Sequence, residues 1–149
     1  MIRSDLLAFL RNRMDPSKKT VIRVASQTRY IRKVSSRILS FLNGYKIDEG
    51  RIFDIRLCIE EAVRNAMVHG NRSDKKLFVK TAYWIDGDTL NIEIEDEGQG
   101  FDHRGVADPT APSHILKNSG RGVYLIKKLM DKVEYNGKGN KITMAKRLK

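Results

Sequence analysis

The chain is poor in cysteine, proline and aromatic residues. Cys58 is its single cysteine, prolines number three, and Phe, Tyr and Trp together make up 7%. A lone cysteine excludes an intramolecular disulfide. So few rings leave aliphatic side chains to fill the core. No window approaches about eighteen uncharged apolar residues, so no transmembrane helix is expected. The segment 1–13 has some look of a targeting peptide, but its apolar run covers only Leu6 to Leu10, between Asp5 and Arg11. No small-residue cleavage site follows, which makes it a short helix or an arm. These absences favour the cytoplasm. Internal repeats and low-complexity stretches are missing too.

What is present suits one ordinary domain: 149 residues, 40% of them hydrophobic. The formal net charge is +11, from 29 basic and 18 acidic residues. Such an excess fits nucleic acid, an anionic membrane or an acidic protein. Basic residues are spread along the chain, with a concentration of five and no acidic residue from Tyr135 to Lys149. That run reads first as a solvated strand and tail. No nucleic-acid motif is present, and the basic residues are not interleaved with aromatics.

The turn signal Met14-Asp-Pro16-Ser separates an arm, residues 1–17, from a single domain, residues 18–149. A β-branched strand is predicted over 19–25. Ser26 could cap a helix that runs to Asn43-Gly44, with Ile31, Val34 and Ile38 at helical spacing. A second helix is predicted from Arg51 to His69, ended by Gly70-Asn71, with Ile55, Ile59, Ala62 and Ala66 on one side. Leu77 to Ile85 and Leu90 to Glu95 alternate as strands around the turn Asp86-Gly-Asp-Thr. From Asp96 to Ser119 the pattern vanishes, as in a functional lid. A third helix is predicted from Gly120, and a hairpin around Asn136-Gly-Lys-Gly139 closes the chain. The order β, α, α, β, β, loop, α, β, β implies an α+β two-layer sandwich: a mixed, mostly antiparallel sheet with helices on one face.

Three groups of residues carry candidate chemistry. Glu61, Asn65 and His69 fall at i, i+4, i+8 on one helix face. A carboxylate one turn before a carboxamide can serve Mg2+ and its waters, or act as a base on a hydroxyl. Asp96-Glu-Gly98-Gln-Gly100 follows a strand, where glycines let the backbone approach a ligand and a carboxylate can accept from an exocyclic amine. Gly120-Arg121-Gly122 begins a helix, whose first N–H groups and dipole suit phosphate. It is not the P-loop pattern, because no Gly-Lys-Ser/Thr follows. Each group alone is also what a solvated helix or a glycine turn looks like.

In this order and separation, the three groups resemble the GHKL ATPase superfamily, with its histidine-kinase-like ATPase fold. Glu61-Ala-Val-Arg-Asn65-Ala-Met-Val-His69-Gly70 and Gly120-Arg-Gly122-Val-Tyr-Leu-Ile are similar to the N box and last ATP box of small bacterial anti-sigma factor serine kinases, the RsbW-like group. Asp108-Pro109 and Pro112 resemble that group's short lid. The resemblance spans residues 19 to 147. It implies ATP and Mg2+ as cofactors, with Asn65 at the metal, Glu61 as general base, and Asp96 on the adenine amino group. Gly98 and Gly100 would pass close to the nucleotide, and Gly120, Arg121 and Gly122 would contact phosphates. His69 and Gly70 would serve packing and helix termination. The implied protein is an anti-sigma factor that phosphorylates an anti-anti-sigma (STAS-type) protein on serine and sequesters a sigma factor, commonly as a homodimer. Alternatives are an ATP-binding regulatory module without catalysis and a nucleic-acid-binding protein.

Overall fold

The computed structural model describes residues 15–100 and 118–149. Most of the expected arm, and the expected lid with Asp108, Pro109 and Pro112, lie outside those residues. The elements are β1 (Thr20–Ala25), α1 (Ile31–Phe41), α2 (Glu49–Asn65), β2 (Phe78–Asp86), β3 (Thr89–Glu95), α3 (Asn118–Leu129), β4 (Lys132–Tyr135) and β5 (Lys141–Arg147). A 3-10 turn, Thr28–Tyr30, leads into α1, and a π turn, Ala66–Gly70, prolongs α2.

The sheet has the order β1-β2-β3-β5-β4. The expectation of a mostly antiparallel sheet holds, and every pairing among the described residues is antiparallel. Short turns join β2 to β3 and β4 to β5, and a tight turn allows only antiparallel neighbours. Alternation along the strands sends one side chain in two to each face. Ile22, Thr81, Ile94 and Ile142 form one inward cross-strand row, and Tyr83, Ile92 and Met144 lie in the next. All seven are buried, and all but Thr81 share one hydrophobic core with Val34 and Ile38 of α1, Ile55 and Ile59 of α2, and Ile126 of α3. Each large aliphatic side chain so buried contributes about 1.5–3 kcal/mol. The outward row is Arg23, Lys80, Glu95 and Lys141, a polar face suited to water.

Several element boundaries differ from the sequence expectation. Ser26 does not cap a helix. Its hydroxyl donates to Leu77 O at 3.0 Å and accepts from Asn71 Nδ2 at 2.8 Å, and α1 begins only at Ile31. A partner 45 residues away has displaced a local one. The second helix starts earlier than Arg51, because the Asp48 carboxylate accepts from Arg51 N at 2.9 Å and caps it. At its other end the winding loosens. Asn71 N reaches back five residues to Ala66 O at 2.8 Å, the π register.

Candidate functional site

A cleft of about 660 Å³, counting its open mouth, lies between the end of α2, the sheet and α3. Ala62, Ala66, Ile94, Val123, Ile126 and Ile142 supply apolar lining; Asn65, His69, Asp96 and Asn140 add polar groups. This composition, an apolar slot with a few convergent polar groups, suits a planar organic ligand with one polar edge.

Asp96 ends β3 and is 8% exposed. Its Oδ1 accepts from Gly98 N at 2.8 Å. Its backbone is held by Asn140, which donates from Nδ2 to Asp96 O at 2.9 Å and offers its own carbonyl to Asp96 N at 3.0 Å. Burial pushes the Asp96 carboxyl above the ordinary carboxylate range, against the Gly98 hydrogen bond and the Lys138 charge, which lower it. A buried carboxylate at the wall of a cleft is an acceptor awaiting a donor.

The glycines around it are there for space. A Cβ on Gly70 would stand 2.1 Å from Asp96 Oδ2, and one on Gly98 would stand 2.0 Å from Gly70 O. Gly100 has φ +82°, and a Cβ there would meet Lys138 O at 1.8 Å. Only glycine lets the loop after β3 lie flat between the π turn and the β4–β5 hairpin.

At the other end of the cleft, Gly122 of α3 packs against α2. A Cβ on Gly122 would meet Asn65 Nδ2 and Glu61 Oε2, each at 2.8 Å. The carboxylate and the carboxamide therefore converge on the same small patch. Glu61 Oε1 accepts from Arg64 Nη1 at 3.0 Å, which leaves Oε2 as the oxygen that faces α3. Gly120 lies in the first turn of α3, where N–H groups have no acceptor within a helix. α3 begins at Asn118, two residues before the predicted start, so Gly122 falls inside the helix and its contribution is close approach.

Of the sequence-predicted residues, Asn65, Asp96 and Gly100 line the cleft, Gly98 braces Asp96, and Gly122 contacts Glu61 and Asn65. Arg121 is exposed and is not among the lining residues. His69 is exposed and lines the cleft, so it does not serve packing; the helix closes instead through Gly70 and Asn71. Three residues were missed. Tyr135 and Asn140 line the cleft from the final hairpin. Asn71 is 1% exposed and bonds to Ser26, Phe78 and Glu97. Its side chain next to a helix-ending glycine looked like turn chemistry. Cys58 carries none of the site's chemistry: burial pushes its thiol up to about 12, far from a reactive thiolate.

The donor set fits a nucleotide with a hard cation. The glycine-cleared floor, the buried acceptor and an amide beside a helix start accommodate a base at one end and phosphates at the other. Among the described residues no cluster of three His, Cys, Asp or Glu is present, so a cation there would draw most ligands from phosphate and water.

Comparison with known proteins adds an independent finding. Residues 24–146 match the histidine kinase-like ATPase domain family. The serine-protein kinase RsbW of Bacillus subtilis is 34% identical over 137 residues, covering 85% of this chain and 84% of that one. RsbW of Staphylococcus aureus is 27% identical over 136 residues, 86% of each chain. In a crystal structure of the RsbU and RsbW domains of a Mycobacterium tuberculosis protein, the match has a TM-score of 0.61 at 21% identity. It covers 88% of this chain and 32% of that one, a likeness of fold.

Proposed function

The chain belongs to the histidine kinase-like ATPase domain family, among RsbW-like serine-protein kinases, and from that premise we propose that it is a Mg-ATP-dependent protein serine/threonine kinase and anti-sigma factor. Its substrate is an anti-anti-sigma protein of the STAS type, and its other partner is a sigma factor. The observation that carries the reading is the convergence of Glu61 Oε2 and Asn65 Nδ2 on Gly122, in a cleft whose far wall is Asp96.

Mg-ATP supplies the transferable phosphoryl group, and the chain's residues supply position and charge. Asp96 accepts from the adenine amino group. Asn65 would hold the cation, which would supply charge neutralisation at the phosphates. Gly98 and Gly100 keep the backbone low against the nucleotide, Gly120 in the first turn of α3 would receive the phosphates with Arg121 beside it, and Gly122 keeps α3 close to Glu61 and Asn65. Glu61 takes the proton of the incoming serine hydroxyl as its oxygen bonds to phosphorus and the bond to the leaving ADP breaks. Arg64 holds the other carboxylate oxygen and so orients the base.

Charge supports an acidic protein partner. Residues 16–47 hold eight basic residues and no acidic one, and all eight are exposed on or around β1 and α1. The same two elements are our proposed homodimer contact. β1 is an edge strand and Val21 on it is 49% exposed. We place residues 18–149 in one domain, with residues 1–17 as an arm, in the cytoplasm. Among the described residues no helix is long and apolar enough to cross a membrane.

The test is transfer of label from ATP to candidate anti-anti-sigma proteins by the parent, Glu61→Gln and Asn65→Ala. Glu61→Gln should keep ATP binding and lose about 10²–10⁴-fold in transfer. Asn65→Ala should weaken Mg-ATP binding itself. Parent-rate transfer by Glu61→Gln would remove the base assignment. ATP binding with no transfer to any partner would leave a regulatory nucleotide-binding module, and steeply salt-dependent affinity for DNA or RNA would favour the nucleic-acid reading.

A further inference from the structure

Asn71 is 1% exposed, and three hydrogen bonds engage its carboxamide. Nδ2 donates to Ser26 Oγ at 2.8 Å and to Phe78 O at 3.0 Å, and Oδ1 accepts from Glu97 N at 2.8 Å. Those partners lie after β1, at the start of β2 and in the loop after β3, while Asn71 itself closes the π turn of α2. One side chain thus ties together four segments that are remote in sequence. Glu97 strengthens the same joint, since its Oε2 accepts from Phe78 N at 2.8 Å.

The joint adjoins Asp96 on two sides. Glu97 follows Asp96 directly, so the bond to Glu97 N fixes the peptide that carries the Asp96 carbonyl. Gly70 precedes Asn71, and Gly70 is the residue against which Asp96 Oδ2 rests, with no room for a Cβ. On the opposite side Asn140 holds the Asp96 backbone. We propose that Asn71 is a positioning residue: it locks the glycine loop to the end of α2, so that Asp96 presents its carboxylate to an adenine edge. This rests on the reading of Asp96 as the adenine acceptor.

The chemistry requires an amide. An apolar side chain would leave Glu97 N–H and Phe78 C=O, both partly buried, without these partners. Aspartate would keep the acceptor for Glu97 N but lose both donors, and would turn a charge toward Phe78 O. Asparagine offers an acceptor and two donors on one short stem.

The experiment measures two quantities on the whole protein: the ratio of ATP to GTP affinity, and amide hydrogen exchange at Glu97 and Gly98 without nucleotide. Parent, Asn71→Ala, Asp96→Asn and Ile22→Val are compared, the last as a core variant remote from the joint. Asn71→Ala should lower the ATP preference about tenfold and speed exchange at Glu97 by a similar factor, the loss of about one hydrogen bond. Ile22→Val should move neither. A folded Asn71→Ala that keeps both parent values overturns the proposal. Faster exchange with an unchanged preference overturns it too, provided Asp96→Asn has lost that preference. If Asp96→Asn keeps the preference, the adenine reading of Asp96 falls and the positioning role falls with it. Should Asn71→Ala not fold, Ser26→Ala removes one of the Asn71 bonds together with the hydroxyl's own bond to Leu77 O, and is read by the same pair of values. Both must then shift in the stated direction, and two parent-like values overturn the proposal.

Discussion

At the scale of single residues, the site is built from groups that the fold would be more stable without. Asp96 is the clearest. Burial raises its pKa above that of an unfolded carboxylate, so the native state binds the proton more tightly than the unfolded chain does. Its contribution is favourable below the unfolded pKa and is lost as pH rises through the folded one. At neutral pH the ionised group is a cost. Asp96→Asn keeps an acceptor for Gly98 N and removes the charge, so the nucleotide-free variant should be at least as stable as the parent at pH 7. The difference should vanish as pH falls through the Asp96 titration, while ATP affinity drops at least about tenfold. Urea denaturation at pH 7 and pH 4, beside ATP titration, tests both halves. Gly122 makes the complementary point. Gly122→Ala would force a methyl to within 2.8 Å of Glu61 Oε2 and Asn65 Nδ2. Both lie at flexible side-chain ends that can move aside, so Tm should fall by only a few degrees. Phosphotransfer should fall by about 10²-fold, because catalytic geometry tolerates less than an ångström of displacement.

At the scale of elements, the cleft depends on how α3 is held. Its N-terminal half approaches α2 through Gly122, and its other end is anchored by Lys146 of β5. Lys146 Nζ donates to Leu129 O at 2.6 Å and lies 3.8 Å from Asp54 Oδ2 of α2. The Lys146 side chain is only 12% exposed, so this cation at a helix C-terminus is shielded from screening. Lys146→Met keeps the apolar stem and removes the charge. It should cost about 1–2 kcal/mol in denaturant unfolding, from the lost charged hydrogen bond and the Asp54 carboxylate left without its cation. ATP affinity should weaken with it; an unchanged affinity would mean that α3 is seated by Gly122 and the core alone. The π turn is the second such element. Its wider winding carries Gly70 against Asp96 and His69 to the cleft wall. Helical periodicity in the sequence continues straight through Ala66 and gives no sign of that change. The order of strands and helices was legible from alternation and spacing, whereas the π register depends on packing against the loop after β3.

At the scale of the whole molecule, charge divides the surface. The +11 excess looked spread along the chain with a concentration at its end, yet the longest stretch free of acidic residues is 16–47, with its eight basic residues on and around β1 and α1. Association with an acidic partner should therefore be electrostatically steered and should slow as ionic strength rises. Arg32→Glu with Arg37→Glu, both exposed, should slow association at low salt about tenfold or more, as read by stopped-flow binding. An unchanged rate would place the docking surface elsewhere, with the basic C-terminal strand next in line.

What the sequence determined by itself was local and ordinal. Strand alternation, helical spacing, the polar turns and the succession of the Glu61–Asn65, Asp96–Gly100 and Gly120–Gly122 groups follow from neighbours along the chain. The family was legible from that succession. Only the tertiary structure decided that Gly122 closes on Glu61 and Asn65, that Gly70 yields its Cβ space to Asp96, that Ser26 leaves a helix cap to meet Asn71, and that Tyr135 and Asn140 complete the cleft. The reason is physical. These contacts join residues far apart in the chain, and close packing, not propensity, selects which distant groups touch.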